Sequence, residues 1–352
     1  MDRFWSRDAA YAMIRAPNRI RAAARPNLRM IVLHDPLRQT DLPQGCIATI
    51  GNFDGLHVGH QAIVRSVVER ARAAQRPSAV ITFHPHPLAV IAPDRVPRQI
   101  LTMAQKEEIL RELGVDALLI IPFTHEFSRW TADRFIEEFL VGALQVREVC
   151  IGRDFCFGAG REGDLVRLRE AGIRFGFAVD GIDEVELRGI RVSSSLIRGA
   201  LIKGAIRTAT AGLGRPYFIE GRVATGRKLG RKMGFPTVNV DPANELFPGG
   251  GVYITTSRFE SFSRSFQSVT NIGVRPTLYE NYATTIESHI LDFDSDVYGD
   301  TVRLYFHELL RREQQFRSAL ELTNQIRHDI ERSRQYFLRH PIRFDEAGYS
   351  LR

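Results

Sequence analysis

Two histidines three residues apart open the chemical reading of this chain. They lie in Gly51-Asn52-Phe53-Asp54-Gly55-Leu56-His57-Val58-Gly59-His60. Residues 46–50 before them are apolar and β-favouring, and residues 61–68 after them carry apolar positions at helical spacing. The glycines therefore fall in a strand-to-helix turn. Residues at i and i+3 share a helix face, so His57 and His60 can both address an anion held at the positive N-terminal end of that helix. Gly59 leaves the approach open. This is a geometry for handling ATP. The alternatives are two surface histidines or half of a zinc site. Zinc needs a third ligand and usually cysteine or carboxylate company at motif spacing, and the other histidines supply no matching cluster.

Three more segments of the first half carry chemistry-bearing residues. Ser193-Ser194-Ser195-Leu196-Ile197-Arg198 reads as a helix start, with hydroxyls to satisfy free N–H groups and Arg198 able to reach a phosphate; an ordinary capped helix is the alternative. Gly158, Gly160 and Gly163 spell G-x-G-x-x-G, with Asp180 and Asp183 about twenty positions on, which is the case for a nicotinamide-dependent oxidoreductase. Against it, the strand at 149–151 ends seven residues before the first glycine, whereas the dinucleotide turn follows its strand directly. The stretch is better read as a loop beside the site, with Asp154 and Arg161 placed to contact substrate. Thr82-Phe83-His84-Pro85-His86-Pro87 is a stiff exit from a strand whose histidines are read as structural.

The second half holds a separate constellation. Residues 226–234 form a basic, glycine-punctuated loop suited to wrapping phosphates, although no G-K-[ST] occurs. It leads into Phe235-Pro236-Thr237-Val238-Asn239, where Thr237 and Asn239 lie two apart in an extended segment and their oxygens can hold Mg²⁺ between ATP phosphates, or simply make a turn. Residues 285–293 alternate so that Glu287 shares a face with His289, Leu291 and Phe293. A carboxylate among large apolar residues faces an interior and needs a partner or a job, which makes Glu287 a candidate general base. The opposite phase, with Ile286 and Ile290 inward, leaves Glu287 solvated.

These groups need two scaffolds. Over 30–206, short apolar runs at 30–33, 47–50, 79–83, 117–121, 149–151 and 175–179 alternate with helical stretches at 59–75, 103–113, 131–144 and 164–171. That pattern predicts an α/β doubly wound parallel sheet with ligands at the carboxyl ends of its strands. After a linker at 207–216 the texture changes to strands at 217–225, 251–257, 268–272, 285–293 and 301–306, with a final helix at 318–337. A small antiparallel β-barrel over 217–340 is expected. The length of 352 residues, 44% apolar and 25% charged, suits two domains of a soluble protein. No apolar run is long enough to span a bilayer, so no membrane partner is expected. Cys46, Cys150 and Cys156 are odd in number and lack C-x-x-C pairing, which points to a reducing, cytoplasmic compartment. Of the net charge of +7, five units fall in residues 1–30, where seven arginines face Asp2 and Asp8. Residues 1–29 are read as a disordered basic tail, and the near-neutral body gives no reason to expect a nucleic-acid groove.

Taken in order, GNFDGLHVGH, TFHPHP, IGRDFCFGAGREG, VSSSLIRGAL, LGRPY, GFPTVN, NIGVRPT, TIESHILDF and VYGD resemble the prokaryotic bifunctional riboflavin kinase/FMN adenylyltransferases over about residues 46–337. The resemblance implies an N-terminal HxGH nucleotidyltransferase domain that moves AMP from ATP to FMN, yielding FAD and pyrophosphate. It implies a C-terminal six-stranded riboflavin kinase barrel that makes FMN, with Mg²⁺ as cofactor. By that resemblance His57 and His60 stabilise the ATP phosphates, with Asn52, Asp54, Gly59, Ser194 and Arg198 in the same nucleotide site. Gly226, Lys228, Gly234, Thr237 and Asn239 serve the kinase ATP site, Glu287 deprotonates the ribityl 5′-hydroxyl, and Arg312 and Glu313, with Phe306 nearby, contact flavin. Ser195 and Leu196 replace a frequent Thr and Arg, Val238 a usual Ala, and His84 a frequent acidic residue.

Overall fold

A computed structural model describes residues 30–225, 233–276, 282–341, 343–345 and 348–350. The expected tail at 1–29 and the candidate phosphate-loop residues Gly226 and Lys228 lie outside the described residues. The described chain forms two compact units, one through Ser193 and one from Ser194 onward. Among the described residues no helix is long and apolar enough to cross a membrane.

The first unit is a six-stranded parallel sheet. Its strands are β1 (Ile31–His34), β2 (Ile47–Ile50), β3 (Ser78–His84), β4 (Ala117–Pro122), β5 (Glu148–Gly152) and β6 (Ala178–Ile182), in the order β1-β4-β3-β2-β5-β6. Strand β2 is buried throughout, as a parallel strand covered on both faces should be. The order reverses between β2 and β5, so the switch point of the sheet lies at the carboxyl end of β2, directly before the two histidines. Helix α1 (Val58–Ala73) follows there, and helix α2 (Met103–Glu112) starts from a capping box in which Thr102 and Gln105 each accept the other's backbone N–H.

Two expectations shift. The predicted helix at 131–144 is a short turn, Ala132–Arg134, continued as a π-helix over Phe135–Ala143. The apolar run at 175–179 is not one strand: helix α3 (Leu165–Phe175) takes its first residue, and Gly176 at φ 79° caps that helix in the left-handed conformation before β6 begins.

The second unit opens with α4 (Ser194–Ile202) and α5 (Ile206–Leu213). A closed barrel follows, built from β7 (Phe218–Ala224), β8 (Val238–Pro242), β9 (Gly251–Phe259), β10 (Ser265–Pro276), β11 (Tyr282–Ile290) and β12 (Thr301–Arg311), in the cyclic order β8-β11-β10-β9-β12-β7. Its interior is partly polar. Thr255 Oγ1 lies 2.7 Å from Ser268 Oγ and 2.6 Å from Thr270 Oγ1, and Thr270 Oγ1 lies 2.9 Å from Ser288 Oγ, all fully buried. Each hydroxyl satisfies another, so the cost of their desolvation is offset and each bond contributes a net of roughly 0.5–1.5 kcal/mol. The barrel's outer surface is apolar where Val252, Ile254, Val269 and Leu310 pack against Tyr336 and Phe337 of α6 (Ala319–Arg339).

His307 sits under that helix, 3.1 Å from Thr256 Oγ1 and stacked on Tyr336. Burial, with the nearby His340 charge, pushes its imidazole down to about 3. The unfolded chain takes up a proton near the ordinary value of 6.5 while the folded one does not, so stability falls as pH drops below 6.5. We expect a loss of about 1.4 kcal/mol per pH unit in that window. In urea titrations at about pH 7.5 and about pH 5, His307→Gln should flatten this slope for the barrel transition.

Candidate active sites

In the first unit the two histidines converge. His57 is the N-cap of α1, and its Nδ1 accepts the backbone N–H of His60 at 3.3 Å. The two rings stack with centroids 3.6 Å apart, and the edge of the pair meets Phe53 at 5.3 Å. A Cβ at residue 59 would lie 3.2 Å from the His57 ring, so the close stack needs Gly59. Burial first, then the charges of His57 and Lys106, hold His60 well below the usual histidine range. At neutral pH His60 is therefore a neutral, hydrogen-bonding ring. Its Nδ1 and the Oδ1 of Asn52 are buried with no partner in the protein. Two unsatisfied polar atoms at the positive end of a helix mark a place for a polar ligand.

The turn itself is held from behind. Phe53, Gly55 and Leu56 have φ values of 48°, 78° and 40°. The expected contact of Asp54 with nucleotide gives way to a structural one: the side chain is 3% exposed and its Oδ1 accepts from Ile100 N (2.9 Å) and Leu101 N (3.4 Å). A carboxylate so placed points into the protein. Lys106, which sequence reasoning passed over, is 6% exposed and donates through Nζ to Asn52 O at 2.7 Å. Its signal was present: a cation on the same helix stripe as Ile109 and Leu110. His86 is also more than a strand exit, since its Nε2 lies 3.5 Å from Asn52 Nδ2 and its Nδ1 caps Leu88 N. His84 is exposed.

Beyond the carboxyl ends of β3 and β4 runs a half-buried aromatic bank. Phe83, Phe123, Phe127 and Trp130 follow one another at centroid separations of 5.8, 5.6 and 5.3 Å. The G-x-G-x-x-G loop lies in the same unit and is explained by packing. A Cβ on Gly158 would stand 2.7 Å from Ala132 N, and one on Gly163 would meet both Ala132 and the Phe157 ring at 2.8 Å. The helix after the loop is capped by Asp164, whose carboxylate accepts Arg167 N at 2.9 Å, so a negative charge already occupies the place a pyrophosphate would need. The oxidoreductase reading fails on these contacts. Asp154 is salt-bridged to Arg191, which also binds Glu184 at 2.8 Å, while Arg161 is exposed in a tight turn at φ 61°.

Ser194 and Arg198 belong to the second unit by contacts. They lie on the first turns of α4, four residues apart and both half-buried.

In the barrel, the phase of β11 is the reverse of the one expected. Ile286, Ser288 and Ile290 are buried, and Ser288 joins the interior hydroxyl cluster, so Glu287 and His289 stand on the outer face. The strand ends at Ile290 and Asp292 turns at φ 53°, which detaches Leu291 and Phe293 from the alternation. Phe293 instead stacks on Phe259 at 5.4 Å. The outer face nevertheless gathers the expected groups. Glu287 pairs directly with Asn239 on β8 and with Asn271 on β10, making one cross-strand row of carboxylate between two amides. His289 Nδ1 donates to Pro236 O at 2.7 Å, anchoring the turn that presents Thr237. Gly234, at φ 82°, has open space around it.

Next along that face, Glu313 closes over glycines. A Cβ at Gly273 would lie 2.8 Å from Glu313 Oε1 and 3.3 Å from both Asn271 Nδ2 and Thr285 Oγ1, and one at Gly250 would lie 3.1 Å from Glu313 Oε2. Arg312 is engaged elsewhere, its guanidinium donating to the Lys203 carbonyl at the end of α4. Phe306 is fully buried between Tyr217 and Tyr253 inside the barrel and cannot touch a ligand on the outer face. Among the described residues no group of three or more His, Cys, Asp or Glu side chains could hold a metal ion. Thr237 and Asn239 supply neutral, hard oxygen donors of the kind Mg²⁺ accepts when phosphates complete its shell.

Comparison with known proteins places both sites in one context. The FAD synthetase family model matches residues 39–196 and the riboflavin kinase family model residues 213–337. The bifunctional riboflavin kinase/FMN adenylyltransferase of Escherichia coli strain K12 is 38% identical over 294 residues, covering 84% of this chain and 93% of that protein. That of Pseudomonas fluorescens is 40% identical over 291 residues, covering 83% and 93%. A solved structure from Streptococcus pneumoniae, described as a macrolide-efflux protein, matches with a TM-score of 0.79 at 27% identity over 87% of this chain and 99% of that one. With both halves matched in order and relatives of this identity aligned over most of the chain, the protein belongs to the bifunctional riboflavin kinase/FMN adenylyltransferase family.

Proposed function

We propose that the chain phosphorylates riboflavin to FMN on the outer face of its barrel and transfers AMP from ATP to FMN at the HxGH turn, giving FAD and pyrophosphate. The stacked His57–His60 pair at the N-terminus of α1, with the unsatisfied Nδ1 of His60 beside it, is the observation that carries the transferase assignment. In that reaction a phosphate oxygen of FMN attacks the α-phosphorus of ATP, and the bond to the β-phosphate oxygen breaks. Both reactants are polyanions, so orientation and charge stabilisation can supply most of the barrier reduction. His57, His60 and Asn52 are assigned to the departing phosphates; Ser194 and Arg198 are kept as nucleotide candidates by family resemblance alone. The aromatic bank from Phe83 to Trp130 offers a planar apolar surface suited to a flavin ring, and Asp154 and Arg161 are kept as substrate-loop candidates.

For the kinase, Glu287 takes the proton of the ribityl 5′-hydroxyl as that oxygen attacks the γ-phosphorus and ADP leaves. Asn239 and Asn271 stand opposite it on the flanking strands, where their amides are placed to orient the carboxylate. Thr237 and Asn239 are the residues that would hold Mg²⁺, whose chemistry is neutralisation of phosphate charge. Glu313 over Gly250 and Gly273 is assigned to flavin, together with Gly226, Lys228 and Gly234 to phosphate; Arg312 would act by holding the segment in place. We place the transferase at 30–206 and the kinase at 217–340, supported by the two family matches, although contacts group α4 and α5 with the barrel. Three free thiols support a reducing, cytoplasmic setting. Nucleic acid and membrane have no part in this reading.

Separate sites give separable losses. With riboflavin and Mg-ATP, Glu287→Gln should abolish FMN formation while leaving FAD formation from supplied FMN; His57→Ala should do the reverse. Loss of both products in either variant, followed by chromatography, would refute two independent sites. Gly273→Ala tests the flavin assignment, because its methyl displaces the end of a flexible carboxylate rather than the backbone. Its KM for riboflavin should rise roughly tenfold with kcat for FAD formation unchanged; an unaltered KM would remove Glu313 from the flavin site.

A further inference from the structure

Lys106 is the one buried cation that the assignments above leave without a task among the residues surrounding the HxGH turn. Its ammonium group reaches back from α2 to Asn52 O at 2.7 Å, a carbonyl that also receives Thr82 Oγ1 at 3.4 Å. Two residues on, Asp54 runs the opposite way and accepts the backbone N–H groups of Ile100 and Leu101, just ahead of the helix that carries Lys106. The turn at 52–56 is thus tied to the segment 100–106 at its start and at its middle. Phe53 lies between the two ties and Leu56 just past the second, both non-glycine residues in the left-handed region, a conformation that persists only where the surroundings over-determine it. Gln61 adds a third tie, donating to Leu56 O at 2.8 Å. The ends of this turn are Asn52 and His57, and His60 stacks on His57.

We propose that Lys106 is a positioning residue for adenylyl transfer: its ammonium group fixes the left-handed turn that aims Asn52, His57 and His60 at the nucleotide, and it keeps a positive charge behind that turn. The inference rests on reading the HxGH turn as the transferase site. The charged and titratable groups that act on Lys106 are Asp54 from the turn itself and His60 from the start of α1, with His86 beyond Asn52. Burial pushes Lys106 down to about 8, with Asp54 opposing the fall. The cation is therefore present at neutral pH and is lost as pH rises through 8, so kcat/KM for ATP in the transfer reaction should decline on its alkaline side. His60, held down partly by the Lys106 charge, should regain basicity when that charge is removed.

The test uses the full chain, whose riboflavin kinase reaction reports on folding. Lys106→Met should lower kcat/KM for ATP in FAD formation roughly a hundredfold, leave FMN formation within about twofold, and erase the alkaline limb from the pH profile. Lys106→Arg keeps the charge and should recover most of the transfer, with the limb moved beyond the accessible range. The His60 imidazole, followed by NMR, should titrate higher in Lys106→Met than in the parent. Transfer that survives Lys106→Met, a limb that persists in it, or an unmoved His60 titration each overturns the proposal. Should Lys106→Met lose both activities, Lys106→Arg decides, and failure of transfer there overturns it too. His60→Ala separates the two levels: transfer intact in that variant sinks the site reading, whereas transfer lost there but kept in Lys106→Met sinks only the role of Lys106.

Discussion

A buried carboxylate and a buried ammonium, Asp54 and Lys106, hold the turn from which His57 and His60 rise. Taking two charges out of water is expensive, and their mutual attraction seldom returns a large net stability. What such a pair does provide is a single conformation: the carboxylate is spent on Ile100 and Leu101 amides, the ammonium on the Asn52 carbonyl, and the backbone between them is left no alternative to its left-handed path. The histidines then occupy the end of α1 at the switch point of the sheet, where helix dipole and free N–H groups favour an anion. Remove the constraint behind the turn and the imidazole stack loses its aim, although neither histidine has been touched.

The kinase site follows a different logic on a different scaffold. Small barrels must fill their interiors with side chains, and this one does so with aromatic rings around Tyr217, Tyr253 and Phe306 and with a chain of hydroxyls from Thr255 to Ser288. With the interior filled, the polar groups at Asn239, Glu287 and Asn271 are left on the outer face. There the pleat lines up Asn239, Glu287 and Asn271 across three strands, and glycines at 250 and 273 leave room for Glu313. Part of the remaining outer surface is covered by α6.

That division explains what could be read from residues alone at the barrel and what could not. Alternation over 285–293 correctly put Glu287 and His289 on one face, but it could not say which face was inside. The usual cue is that apolar residues point inward; here Thr255, Ser268, Thr270 and Ser288 are interior while Val252, Ile254 and Val269 face outward beneath a helix. Within β11 itself Ile286 and Ile290 do point inward, and the phase came out reversed because Leu291 and Phe293, counted with Glu287, lie past the end of the strand. The G-x-G-x-x-G spelling has its explanation at a distance: Gly158 and Gly163 both answer to Ala132, 26 and 31 positions earlier in the chain, and Gly163 also to Phe157 across the loop.

From sequence alone came everything set by short-range periodicity and by spelling: the alternation of apolar runs and helices that makes a parallel sheet, the change to short strands after residue 216, and the imidazole pair three apart at a helix start. Those depend on neighbours in the chain, and the chain displays them. Only the tertiary structure decided that Asp54 turns inward, that Lys106 belongs behind the histidines, that Glu287 stands between two amides on the barrel's outer wall, and that Arg312 closes the end of α4. Each of these is a contact between segments far apart in sequence, where desolvation and hydrogen-bond satisfaction, rather than local propensity, determine which way a polar side chain points.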